Sequence, residues 1–307
     1  MGLLTSTAFQ LSPSVQPRAF IVMGTLASSD VDDDLLYQML VALRNALRQS
    51  DEADTQCVVS MLHCVCTVVS TLAENSRYIG PLFWLAVALL ESSHAPFFVE
   101  ANNLLCACIT TLNRHDAFKE RGFVVTLLEA RAHLDDISIQ LDQMLGLSFE
   151  SDFSFSLAAI IFKGVRRPSF RTSAIETLRC LLKTVVSTLP PPTEEDTSID
   201  GDALGYVLAL LPTSTSPQTF KQLLQESGAG VAWTRKESFG QTEIDDGQAP
   251  HVPFEVLGCH DSNTALLIVS FIGSMLSTAQ SDDAESQMLF GVLKGMSLVF
   301  PETVSMA

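Results

Sequence analysis

The sequence has 307 residues, 47% of them hydrophobic and 17% charged, and its 35 acidic against 18 basic side chains leave a formal net charge of −17. That balance allows a sizeable core, or two smaller ones, and opposes binding to nucleic acid or acidic lipid over most of the surface. Seven cysteines, an odd number falling mostly in apolar helical patterns, read as free buried thiols of a reducing compartment rather than a disulfide framework.

No apolar run reaches the roughly 18 to 20 residues that span a bilayer, so direct membrane insertion is not expected. The opening MGLLTSTAFQLSPS lacks the basic start and continuous apolar core of a signal peptide, and a cytoplasmic location is expected by default.

In chain order the elements read as helices. Pro17 opens a short one with Ala19, Phe20, Met23 and Leu26 on one side. The acidic turn Asp30 to Asp34 precedes a helix whose Leu36, Met39, Leu40, Leu43 and Leu47 follow three- and four-residue spacing and mark one face. A third helix begins near Asp54, a fourth runs from about Pro81 to Glu91 and a fifth from about Phe97 to Asn113. Further helices are expected at Val124–Ala132, Asp135–Leu145, Phe153–Lys163 and Ser173–Ser187. Ser173 and Glu176 match a capping box that starts the last of these.

Pro190, Pro191 and Pro192 then break the pattern ahead of the acidic TEEDTSIDGD. Helices resume at Ala203–Leu211, Pro217–Glu226, Ser262–Ser277 and Asp282–Phe300, with a loop over 228–253. The domain reading is a helical array over 1–189, an acidic Pro-rich linker over 190–202, and further helices over 203–307. Helix starts recur roughly every 16 to 25 residues, so a pair fills about 40 to 45, the period of HEAT or armadillo helix pairs. The fold expected is all-α, a HEAT/armadillo-like helical-repeat solenoid, with an irregular helical bundle as the alternative.

Chemistry-bearing motifs are sparse. Asp30, Asp32, Asp33 and Asp34 lack the glycine and terminal glutamate of an EF-hand loop and read as helix-capping, solvated carboxylates. The pairs Cys64/Cys66 and Cys106/Cys108 point to different helix faces and read as core packing, since zinc needs four converging ligands. No phosphate loop, nucleophile elbow or HExxH is present. No catalytic, cofactor-binding or metal-ligating residue is therefore assigned, and no cofactor is expected. Phe149, Phe153 and Phe155 in SFESDFSFS read as anchors of a bent connector, beside serines that tolerate exposure, with a partner-binding aromatic patch as the alternative.

The single dense basic segment is KGVRRPSFR. Lys163, Arg166, Arg167 and Arg171 read either as a cationic helix end terminated by Gly164 or as a docking patch for an acidic partner. Arg166-Arg167-Pro168-Ser169 also has the R-R-x-S form of a basophilic-kinase site, which makes Ser169 a candidate phosphosite.

Four segments in order, QPRAFIVMGTLA, DDDLLYQMLVAL, LFWLAVALLESS and LDQMLGLSFESDFSFSLAAIIFKGVRRPS, resemble the C-terminal helical-repeat region of the neurofibromin-type Ras GTPase-activating proteins, which include the fungal inhibitory regulators of Ras. The resemblance runs from about Pro17 to Val186. It implies a chain that begins inside a longer protein, which argues against myristoylation at Gly2 although Thr7 lies near the hydroxyl position of that motif. In that family an arginine finger in a separate helical domain completes charge stabilisation of the transferring phosphoryl group. Its FLR-type signature is absent here, so no enzymatic activity is expected.

What the resemblance implies is a scaffold segment that binds other segments of the same regulator or a second copy of itself. Ras would be reached only indirectly, through a GAP domain, and a location peripheral to membranes would come only through the rest of the family architecture. A stand-alone adaptor unrelated to Ras and a minimal Ras GAP are the competing readings.

Overall fold

The computed structural model describes residues 8–9, 15–27, 31–49, 55–92, 94–132, 140–143, 148–190, 198–229, 257, 262–277 and 284–306. Among them the regular structure is entirely helical: α1 (Gln16–Leu26), α2 (Asp33–Gln49), α3 (Thr55–Val69), α4 (Ile79–Leu89), α5 (Ala95–Arg114), α6 (Phe123–Ala132), α7 (Phe153–Val165), α8 (Arg171–Thr188), α9 (Gly201–Leu210), α10 (Pro217–Glu226), α11 (Ser262–Ser277), α12 (Ala284–Val299) and α13 (Pro301–Met306). A 3-10 turn, Leu211–Thr213, extends α9. The helix read at 135–145 falls mostly outside the described residues, as do the stretch after Pro190 and most of the 228–253 loop.

The chain forms two compact units. The first comprises Met1–Leu147 with Arg167–Thr177, and the second Ser148–Arg166 with Leu178–Ala307. The division is therefore not at the Pro190–Pro192 break on which the 1–189 and 203–307 domains were drawn. Packing partners, not chain breaks, set the units: α7 lies against α9, which groups it with the later helices.

In the first unit α1, α3 and α5 pack successively on one another, α2 packs on α3, and α4 packs on both α5 and α6. The sequence explains the central position of α3. Cys57, Val58, Met61, Leu62, Cys64, Val65, Val68 and Val69 cover most of its circumference and are buried, as a helix with neighbours on several sides requires. By contrast, of the expected stripe α2 buries Leu36, Met39 and Leu43, leaves Leu40 and Leu47 half-buried, and turns its other face to solvent. It starts where Asp32 Oδ1 accepts from the Leu35 amide at 2.8 Å, so this acidic turn caps its helix.

Among the described residues, helix crossings at Gly80 and Gly205 are close enough to exclude side chains. A Cβ on Gly80 of α4 would collide with Ala130 Cβ on α6. Beside it, Trp84 Nε1 donates to the Leu127 carbonyl at 2.9 Å, while the Arg131 guanidinium stacks over the Trp84 ring and pairs with Asp142.

The C-terminal end of α3 is satisfied by α5. Thr111 Oγ1 donates to the Val69 carbonyl and Arg114 Nη1 to that of Ser70, while His115 Nε2 lies 3.0 Å from that of Leu72. By length and composition α5 is apolar enough to cross a bilayer, but it packs against α3 and α4 with Asn102 and Thr111 buried, the place of a core helix.

In the second unit α7 crosses α9 at Gly205, where a Cβ would stand 2.5 Å from the Ser154 carbonyl carbon and oxygen. The 3-10 turn rests on α12, and α11, α12 and α13 pack mutually. At α10 a capping box joins Ser216 and Thr219. No such box starts α8, which begins at Arg171. Its ladder is already running at Ser173, because the Ala174 amide donates to the Phe170 carbonyl and the Ser173 carbonyl accepts from Thr177 Oγ1.

Candidate interaction segment

The Phe-studded connector leads into α7. Phe149 is fully buried and Phe153 nearly so, with ring centroids 6.0 Å apart, and Phe155 meets Phe271 edge-on at 5.9 Å. These rings are anchors. Of the neighbouring serines, Ser151 is exposed, whereas Ser154 and Ser156 are buried. Ser154 Oγ donates to the Gly201 carbonyl at 3.0 Å and Ser156 Oγ to that of Ser148 at 3.1 Å, so each hydroxyl is satisfied where it lies.

The basic segment follows. Gly164 lies inside α7 rather than ending it, and the helix runs to Val165 with Arg166 as its C-cap. Lys163 is exposed. Arg166 turns inward: Nη1 donates to Glu285 Oε2 at 2.6 Å, Nη2 to the Met275 carbonyl at 3.3 Å, and the guanidinium lies 5.1 Å from the Phe162 ring centroid. Only 16% of its side chain is exposed. Burial of a guanidinium demands such partners, and this role in the second unit was not legible in the motif. Arg167, Pro168 and Ser169 are exposed in the turn before α8, and Arg171 is half-buried in its first turn.

Of the seven cysteines Cys259 lies outside the described residues; Cys57, Cys64 and Cys108 are buried packing groups and Cys66, Cys106 and Cys180 are half-buried. Burial pushes the Cys64 thiol up to about 12 and raises Cys108 well above its ordinary range. Burial, reinforced by the Glu100 charge, does the same to Cys66. Among the described residues no group of three or more His, Cys, Asp or Glu side chains is placed to hold a metal ion.

Apolar side chains remain on the surface of both units. In the first, α1 buries Ala19, Phe20 and Met23 but exposes Leu26, expected on their side, together with Ile21 and Val22, and α2 exposes Tyr37 and Val41. In the second, α12 exposes Phe290 (58%), Leu298 (82%) and Val299 (53%). Such side chains are individually ordinary, but several on one helix are the usual sign of an interaction face.

With this geometry in view, the chain is similar to two yeast regulators. It is 22% identical over 182 residues to Inhibitory regulator protein IRA2 of Saccharomyces cerevisiae, covering 58% of this chain and 6% of that protein. It is 24% identical over 217 residues to Inhibitory regulator protein IRA1 of the same organism, covering 69% of this chain and 7% of that one. The similarity to these inhibitory regulator proteins is distant. The chain spans less than a tenth of the length of these relatives. No family model matches. A crystal structure of an engineered protein aligns over 96% of both chains at 13% identity, with a TM-score of 0.30, too low to assign a fold.

Proposed function

We propose that this chain is a non-catalytic helical scaffold segment of a neurofibromin-like negative regulator of Ras signalling, serving self-association and contacts with other segments of the same regulator. The similarity to both inhibitory regulators carries this reading. The packing order of α1, α3 and α5, with α4 on α6, is that of stacked helix pairs and supports a HEAT/armadillo-like array in the first unit. The apolar faces of α1, α2 and α12 are the surfaces such an array offers to neighbours. Ras is reached through a GAP domain elsewhere in the regulator, and the segment works in the cytoplasm.

Light scattering of the purified chain across a concentration series, with and without adjoining family segments, tests the proposal. A stable dimer, or a complex formed with those segments, is expected. A monomer that binds none of them would favour a stand-alone adaptor. A single-turnover assay with Ras-GTP is expected to show no acceleration of hydrolysis by the chain alone.

A further inference from the structure

We propose that Ser169 is a phosphorylation site for an arginine-directed serine kinase, and that Glu285 limits its use by holding Arg166. The inference stands independently of the Ras-regulator reading. Two observations meet in it. The sequence Arg166-Arg167-Pro168-Ser169 has the R-R-x-S spacing, and kinases of that specificity read both guanidinium groups with carboxylates through charge-assisted hydrogen bonds. The structure exposes the acceptor serine, Pro168 and Arg167 in the turn ahead of α8, yet Arg166 is engaged by Glu285 Oε2 and the Met275 carbonyl and packed on Phe162. The acceptor is presented while half of its recognition signal is withheld.

A kinase that needs both arginines must bind the fraction of molecules in which Arg166 has left Glu285, and its apparent affinity falls by that fraction. In the transfer itself Ser169 Oγ attacks the γ-phosphorus of Mg-ATP. The new O–P bond forms as the bond to the β,γ-bridging oxygen breaks, ADP leaves, and the hydroxyl proton passes to the kinase's catalytic carboxylate. The product adds a charge of about −1.5 to −2 within a segment that carries Lys163, Arg166, Arg167 and Arg171. The chain's one dense basic run thereby loses about half of its positive charge. The phosphate also stands just before the first turn of α8, where negative charge is favoured.

The test treats the full chain with a purified kinase of R-R-x-S specificity and labelled Mg-ATP, and locates the label by mass spectrometry. Slow incorporation at Ser169 is expected, with none at that position in Ser169→Ala. Glu285→Gln is expected to raise the initial rate about tenfold, as loss of a charged hydrogen bond frees Arg166. Glu226→Gln, which removes the partner of Arg179 in the same unit, leaves the rate unchanged.

A synthetic peptide spanning 163–173, in which Arg166 has no Glu285, is modified much faster than the chain. This comparison stands even if Glu285→Gln proves unfolded by circular dichroism. Absence of label on Ser169 in both chain and peptide would overturn the site. Equal rates for chain and peptide, or the same acceleration in a folded Glu226→Gln, would overturn control by Glu285.

Discussion

At Gly205 the main chain of α7 passes so close to α9 that one added carbon meets the Ser154 carbonyl at 2.5 Å and the Phe155 nitrogen at 2.6 Å. Backbone atoms cannot swing aside as a long side chain can. Gly205→Ala is therefore expected to cost about 1–3 kcal/mol, read as a lower urea midpoint. Gly273, in the interior of α11, is the control. A Cβ there meets nothing within 4 Å, so Gly273→Ala is expected to gain about 0.5–1 kcal/mol.

The thiols supply a pH prediction. Cys64 stays protonated in the folded chain up to about 12, against an ordinary 9.0 for the thiol once unfolded. The unfolded state thus releases its proton first. This contribution is fully present below pH 9 and is lost as pH rises toward 12. Thermal melts across that window should show falling stability, and Cys64 should resist alkylation at pH 8 until the chain is denatured. The core role of these cysteines was legible from their helical spacing. The inward turn of Arg166 was not, because nothing near it in sequence announces Glu285, which lies 119 positions away.

Among the elements, helix bodies were far more legible than helix ends. The Leu36, Met39 and Leu43 stripe of α2 and the span Ser262–Ser277 follow from periodicity alone, which burial enforces over several turns. Ends depend on a few local hydrogen bonds. Ser-x-x-Glu at Ser173 looked like a start, yet buried Phe170 lets the ladder of α8 begin earlier, whereas the box at Ser216 and Thr219 does cap α10. The C-terminus of α5 shows the same dependence. The Ala117 amide donates to the Leu112 carbonyl and the Asp116 amide to that of Asn113, a Schellman pattern that puts Asp116 in the left-handed region at φ 57°. Glycine is the residue this position favours. Asp116→Gly is expected to stabilise the chain by roughly 0.5–1 kcal/mol, seen as a higher melting temperature. The exposed ion pair it removes, Asp116 with Lys119, offsets little of that gain.

For the whole molecule two forces oppose each other. Apolar side chains on α1 and α2 of the first unit, and on α12 of the second, favour contact with other chains, while a net charge of −17 drives copies apart. Salt separates the two terms. At about 0.1 M the Debye length is roughly 10 Å, so repulsion between copies is screened while apolar burial is not weakened. If the apolar faces carry self-association, the weight-average mass from light scattering rises with sodium chloride between low and moderate ionic strength. If the basic segment around Arg167 docks on the acidic surface of another copy, the mass falls over the same range.

Charge substitutions then separate the faces. Val22→Glu with Leu26→Glu acts on the first unit, and Phe290→Glu with Leu298→Glu on the second, all at exposed positions where folding tolerates a carboxylate. A face that pairs with itself closes at a dimer, and only its own double variant returns the mass to that of a monomer. Two different faces that meet head to tail leave one of each unpaired at every step, so the mass keeps growing with concentration. In that case either double variant alone abolishes growth. Self-pairing through one face is the expected result, because each added copy in an open series brings another 17 negative charges that the same contact must offset.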